Sequence, residues 1–143
     1  FDEAVEHLHA LDIPVITHII LGLPGENREM LLETVRHLNR CGIQGVKLQL
    51  LHVLEGTDLA ADYRAGRFQV LTQDVYLELL MAAIAALSPR IVIHRVTGDG
   101  PKELLIAPEW SRNKRGVLNA LYHRMKQNAV RQGCAQETEA EEM

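Results

Sequence analysis

The sequence predicts an α/β fold, parallel strands with flanking helices that form the distal part of a βα barrel. Three observations predict it. Helix-like and strand-like stretches alternate along the chain with short connections, the order of βα units on a parallel sheet. The strand-like stretches are rich in β-branched residues and almost continuously apolar, as strands between packed layers are. Lys47 and Gln49 nevertheless recur at alternate positions of one strand. An open sheet covered by helices on both faces has little use for them, whereas a barrel with a wet interior does.

Residues 2–12 place Ala4, Val5, Leu8 and Leu11 on one face of an amphipathic helix that Pro14 ends. Residues 15–21 (VITHIIL) read as a first strand covered on both faces. Gly22-Leu23-Pro24-Gly25 turns the chain, and Asn27 is placed to cap the next helix. Met30, Leu31, Thr34, Val35 and Leu38 supply that helix with a buried stripe, and Gly42 stops it. Residues 44–53 (QGVKLQLLHV) predict a second strand, with Val46, Leu48 and Leu50 on one face and Lys47, Gln49 and Leu51 on the other. The following GTDLAADYRAGRFQ is expected to be irregular, with one helical turn. Thr72 caps a strong helix that Ser88-Pro89 closes, and residues 91–96 (IVIHRV) give a third strand. After the loop TGDGPKE and a short apolar run, LLIA, residues 113–132 turn helical, with Val117, Leu118, Leu121 and Met125 on one face. Residues 1–132 are thus the foldable unit, barrel portion plus helical extension, and 133–143 are expected to be a disordered acidic tail.

A chain of 143 residues, 47% hydrophobic and 24% charged, suits one globular domain or part of one. Its opening on Phe1 without a start residue leads us to expect part of something longer. The net charge of −4 conceals an asymmetry. Glu137, Glu139, Glu141 and Glu142 close the chain, whereas residues 111–136 hold no acid but carry Arg112, Lys114, Arg115, Arg124, Lys126 and Arg131. That segment reads either as a solvated helix face or as a phosphate or nucleic-acid contact. An aromatic content of 4% argues against base stacking. No apolar run reaches the roughly 20 residues of a membrane span, so no membrane partner is expected. Cys41 and Cys134 form no CxxC pair, suit a reducing cytoplasm, and are expected to be bystanders.

Barrel active sites gather at the C-terminal ends of the strands. Residues 18–26, 51–57 and 94–102 fall there. Each has a plain structural reading: a glycine turn with a core His18, an ordinary strand-end His52, an Arg95–Asp99 salt bridge bracing its loop. Their coincidence at one end of the sheet points to a site. Arg95 and Lys114 could pair with an anionic substrate group and Asp99 could hold a hydroxyl or amine; with the inward Lys47 and Gln49, and His94, they are the candidate substrate contacts. Trp110, the only tryptophan, reads as a plug beneath the last helix. His18, His52 and His94 could instead converge on zinc, although no carboxylate pattern accompanies them. No Walker loop, dinucleotide fingerprint, HExxH or nucleophile elbow occurs.

The stretch HIILGLPGE, followed by a capped helix, resembles the fifth strand of radical S-adenosylmethionine (SAM) enzymes of the Elongator-type group. There a G-x-I-x-G-x-x-E-like segment lines the SAM adenine. Ile20 and Gly22 match it; His18 stands at its first glycine, and Glu26 falls one residue late for its acid. VKLQLLHVLEGTDLA is similar to that family's sixth strand. IVIHRVTGDGPKELLIAPEWSRNKRGVLNAL resembles the C-terminal signature of the YhcC-like radical SAM subgroup. The resemblance spans residues 1–127 and implies the C-terminal portion of a radical SAM-type partial TIM barrel. It implies SAM contacts from His18, Ile20, Gly22, Leu51, His52 and Val53, with Ile20 as an aliphatic wall and Gly22 admitting close backbone approach.

The resemblance also implies a [4Fe–4S] cluster, whose three thiolates belong to a CxxxCxxC-like loop. Neither Cys41 nor Cys134 matches that loop, so the cluster ligands are expected upstream and no metal ligand is expected here. The intact parent would cleave SAM reductively to a 5′-deoxyadenosyl radical, on a substrate that stays open, with RNA among the candidates. This portion alone is expected to be inactive, its partner the missing N-terminal part of the same polypeptide. The alternative is a small α/β module that binds RNA or another polyanion through Arg112, Lys114, Arg115 and Arg124.

Overall fold

The computed structural model describes residues 1–136. Helix α1 (Asp2–Ala10) leads to strand β1 (Ile16–Leu21), helix α2 (Arg28–Cys41) and strand β2 (Gly45–Leu50). Strand β3 (Val53–Leu54), helices α3 (Asp58–Arg64) and α4 (Gln73–Ala86) and strand β4 (Val92–Arg95) follow. Strand β5 (Leu105–Ala107), a 3-10 turn over Glu109–Arg112 and helix α5 (Lys114–Gln127) complete the order. Strands β1, β2 and β4 pair in parallel, in that order, with β2 central. Strands β3 and β5 form a separate antiparallel ribbon. The parallel sheet with flanking helices is the α/β architecture the sequence predicts.

Local chemistry sets the element ends. Asn27 accepts from the Met30 N–H at 2.9 Å and Thr72 from the Val75 N–H at 3.3 Å, each satisfying an orphan donor of a first helical turn. Gly42, at φ 68°, ends α2 in the left-handed conformation that glycine adopts without penalty. Burial then joins the elements. Val46, Leu48 and Leu50 of β2 pack with Ile19 and Leu21 of β1 against Leu31, Val35 and Leu38 of α2, Leu77, Leu80 and Ile84 of α4, and Val117 and Leu121 of α5. A smaller core collects Val53, Ala60 and Ala107 around Tyr63 and Phe68.

Several expectations need correction. Of the α1 stripe only Val5 is buried; Leu8 and Leu11 are exposed, because no described element covers them. In α2 the buried stripe runs through Leu31, Leu32, Val35 and Leu38, while Met30 and Thr34 face outward. Strand β1 is covered on one side only: Ile16 and Ile20 are 44% and 39% exposed. The second predicted strand is two strands in two sheets, since the chain leaves β2 after Leu50 and pairs Val53 with Ala107. The connection expected to be irregular holds the two-turn helix α3, capped by Thr57, whose hydroxyl accepts from the Ala60 N–H at 3.1 Å.

The last helix stops at Gln127 rather than 132, and the segment after it returns to the end of α4 and the turn that follows. Gln132 Nε2 donates to the Ser88 and Ile91 carbonyls at 2.7 and 2.6 Å, and Gln136 Nε2 to the Ala86 carbonyl at 3.1 Å. Residues 133–136 lie against the end of α4, where the Gly133 N–H donates to the Ile84 carbonyl at 3.1 Å and Gln136 reaches Ala86. The rest of the expected acidic tail, 137–143, lies outside the described residues.

Tyr76 ties the main core to the loop after β4. It is fully buried, and its hydroxyl donates to the Val96 carbonyl at 2.7 Å. Tyr76→Phe leaves that carbonyl without its donor and should cost about 1–3 kcal/mol. Urea denaturation checks it; an unchanged midpoint would show that the carbonyl finds another partner.

Candidate functional site

The parallel register sets Ile16 beside Gly45, His18 beside Lys47 and Ile20 beside Gln49. Strand alternation puts these six on the sheet face opposite the helices, because Val46, Leu48 and Leu50 take the buried side. The helix side is sealed. The other side is a floor on which His18 and Ile20 are exposed and Lys47 and Gln49 half-buried.

Strand β4 enters this floor through a bulge. Gly45 pairs with Val92 and Val46 with Ile93, but Lys47 pairs with Arg95, which leaves His94 the additional residue. The His94 imidazole lies over Gly45, where a Cβ would come within 2.6 Å of Nε2. His94 is thus drawn back toward the start of β2, away from the strand ends where the substrate contacts were expected.

The rim beyond the strand ends is built from three connections. At the first, Gly22 has φ 94°, and a Cβ there would lie 3.0 Å from Leu71 Cδ1. Both facts demand glycine, and the space above its α-carbon belongs to Leu71. At the second, His52 lies half-buried under the loop after β4; a Cβ on Gly98 or Gly100 would come 3.0 and 3.1 Å from its ring atoms. Burial holds its pKa below the usual histidine range, partly offset by the negative charge of Asp99.

At the third, Asp99 accepts from Lys114 Nζ at 2.6 Å and lies 3.5 Å from Arg95 Nη1. The Lys114 hydrogen bond is the larger cause of an Asp99 carboxyl held below its ordinary range. Arg112 closes the loop from the other side, donating to the Lys102 and Leu105 carbonyls, both at 2.7 Å. His52, Asp99, Lys102, Arg112 and Lys114 surround a hollow of about 180 Å³. Lys102 and Arg112 were not among the expected substrate contacts: Lys102 entered only as the end of the 94–102 stretch and Arg112 only as a candidate polyanion contact.

The geometry bears on several of the other residues singled out above. Val53 is fully buried in the smaller core, so its side chain cannot meet a ligand on the floor. His18, His52 and His94 form no metal site: among the described residues the group of three or more ligand-type side chains with converging atoms is Asp2, His37 and Cys41. Of the basic segment, Arg112 contacts Glu109 and two carbonyls, Lys114 contacts Asp99, and Arg124 contacts Asp74, all near the surface. Trp110 packs against the main core, 5.5 Å from the Tyr76 ring, and donates to the Leu71 carbonyl at 2.9 Å.

Comparison with known proteins gives the following. A family model described as the Radical_SAM C-terminal domain matches residues 43–127. The uncharacterized protein YtqA of Bacillus subtilis is 40% identical over 131 residues, 92% of this chain and 41% of that protein. Protein YhcC of Escherichia coli is 30% identical over 102 residues, 71% of this chain and 33% of its own length. The chain therefore spans between a third and two fifths of these relatives. Among solved structures, Elp3 of Methanocaldococcus infernus with an N-terminal deletion superposes with a TM-score of 0.77 at 19% identity, covering 92% of this chain and 31% of that one. At that identity the likeness speaks for the fold.

Asp99 raises the His52 pKa while burial lowers it, so Asp99→Asn should move the His52 titration further down, read by NMR of its ring protons. An upward or absent shift would mean that the two groups do not sense each other. Because His52 binds fewer protons folded than unfolded, its contribution to stability is complete above the ordinary value of 6.5 and declines as pH falls below it. His52→Gln should flatten that acid-side decline.

Proposed function

The chain belongs to the radical SAM C-terminal domain family, and on that premise we propose that it supplies the floor and substrate rim of a radical SAM enzyme. The carrying observation is the two-faced sheet, sealed by helices on one side and set with His18, Ile20, Lys47 and Gln49 on the other. A polar face at the centre of a parallel sheet suits a barrel interior that receives a ligand.

The residues fit the two family cofactors differently. For SAM, Ile20 and Leu51 offer aliphatic surface to an adenine, His18, Gln49 and His52 offer hydrogen-bonding edges, and Gly22 offers backbone. Val53 is not carried forward. For the [4Fe–4S] cluster the residues do not fit, since three clustered thiolates are needed and Cys41 and Cys134 are the only cysteines. Its ligands are assigned to the part of the longer polypeptide that this chain does not match. When bound together, the cofactors supply reductive cleavage of SAM.

The chain's own role is to bind and orient. Lys114 keeps Asp99 ionised, so the carboxylate can accept a hydrogen bond from a substrate hydroxyl or amine. Arg95, held only at 3.5 Å from Asp99, has donors left for an anionic substrate group. Lys47 and Gln49 would position the remainder from the floor.

The free edge of β1 supports docking of the rest of the polypeptide. Thr17 Oγ1 and Glu26 Oε2 are buried there without hydrogen-bond partners, and both border a hollow of about 310 Å³ with His18, Ile20 and Leu23. Desolvation raises the Glu26 carboxyl, as for a group that awaits a donor. Neither Cys41 nor Cys134 is in a disulfide, which supports a reducing cytoplasm, and no described helix is long and apolar enough to cross a membrane. In the polyanion-binding alternative, Arg112, Lys114 and Arg124 would exchange their present surface ion-pair partners for the ligand.

A chimera tests the reading: this chain replaces the matched segment of YtqA, the cluster is reconstituted anaerobically, and 5′-deoxyadenosine is measured under reductant. The chimera should form it and the isolated chain should not. Ile20→Asp, which sets a charge against the adenine, should weaken SAM binding about tenfold or more. Turnover by the isolated chain, or SAM affinity untouched by that change, would overturn the assignment.

A further inference from the structure

Helix α1 is poorly attached by packing. Val5 is its only buried side chain, and Leu8 and Leu11 are exposed. Its polar attachments are His9 to Gln44 at 3.1 Å and a group at its first turn, where Asp2 meets α2. Asp2 Oδ1 accepts from His37 Nε2 at 2.7 Å and from Cys41 Sγ at 3.6 Å. A carboxylate, an imidazole and a thiol thus share one focus, with all their ligand atoms within 4.8 Å of one another.

The spacing behind this focus is regular on both helices. His37 and Cys41 are four residues apart on α2, and Asp2 and Glu6 four apart on α1, so each pair projects from one helix face. All four border a hollow of about 330 Å³, with Val5 and Arg40 as its other walls. We propose that Asp2, Glu6, His37 and Cys41 form a zinc site that clamps α1 onto α2.

The donor set is the argument for zinc. One thiolate, one imidazole and carboxylate oxygens make the mixed N, S and O shell that a borderline-soft, tetrahedral divalent ion accepts. With bonds of about 2.0–2.3 Å, neighbouring donors of such a shell stand roughly 3.2–3.8 Å apart, so the atoms of Asp2, His37 and Cys41 need only small side-chain movements, whereas Glu6, outside that group, must turn in from the wall of the hollow. The two protons directed at Asp2 Oδ1, one from His37 and one from Cys41, are those a cation would displace. Arg40 opposes the ion, but the two carboxylates and the thiolate outweigh its single charge. His37 also lines the hollow beside β1, but none of the four ligands is among the proposed SAM or substrate contacts, so failure of the zinc site would leave those assignments untouched.

Cobalt is the probe, because thiolate ligation gives it a near-ultraviolet charge-transfer band and four-coordination gives intense visible bands. The metal-free chain, fused at its C-terminal end to a cysteine-free soluble carrier so that aggregation does not decide the outcome, is titrated with Co²⁺ and then competed with Zn²⁺. One cobalt per chain is expected, with both bands, and zinc should abolish them. Cys41→Ser should remove the thiolate band, Cys134→Ser should keep it, and Asp2→Asn should weaken binding about tenfold, the lower end of what even an outer-shell partner contributes. Absence of the thiolate band in the unaltered chain, its survival in Cys41→Ser, its loss in Cys134→Ser, or an affinity unmoved by Asp2→Asn would each overturn the two-helix site.

Discussion

The structure depends on the alternation of β2. This central strand must hold a dry surface on one side and a polar one on the other, and a pleated strand does so by giving alternate residues to opposite faces. Val46, Leu48 and Leu50 are buried against three helices, while Gly45, Lys47 and Gln49 face the floor. A slip of register by one residue would drive Lys47 and Gln49 into the core, at a desolvation cost no neighbouring group there could offset. The placement of β1 and β4, the packing of α2, α4 and α5, and the accessibility of the floor all follow from that one pattern.

The bulge in β4 and the glycine at the start of β2 are complementary. An extra residue in a parallel pairing needs room, and Gly45 lends the volume of its missing side chain to His94. Restoring register at Arg95 is what turns the following residues toward Asp99 and the rim. The loop after β4 is then closed from outside its strand, by Arg112 on two of its carbonyls and Lys114 on its carboxylate. Floor and rim are thus held by different means, the first by ladder hydrogen bonds and burial, the second by charge-assisted contacts near the surface.

Legibility in the sequence followed the range of the interactions. Caps and stops were readable because Asn27, Thr72 and Gly42 act within a few residues of themselves. The polar face of β2 was readable because it is periodic. The antiparallel pairing of β3 with β5 was not, since Val53 and Ala107 become neighbours only through a turn far along the chain. Val53 was assigned to a ligand contact through the resemblance to the family's sixth strand, and nothing local marks the break after Leu50. His94 was misplaced for a related reason: a bulge changes which residue reaches the rim without leaving a trace in composition. The focus at Asp2, His37 and Cys41 was overlooked because each helix carries only half of it.

Trp110 sits where the two cores meet. Its ring packs on Tyr76 of the larger core, and its indole N–H is bound to the carbonyl of Leu71, in the segment running from the smaller core to α4. As the chain's single tryptophan, it makes the protein's intrinsic fluorescence the signal of one junction rather than an average over the molecule. Loosening of the outer ribbon from the sheet would expose the indole and redden its emission while the helical signal of the larger core persisted. The molecule thus carries its own optical gauge of whether its two halves come apart together or in sequence.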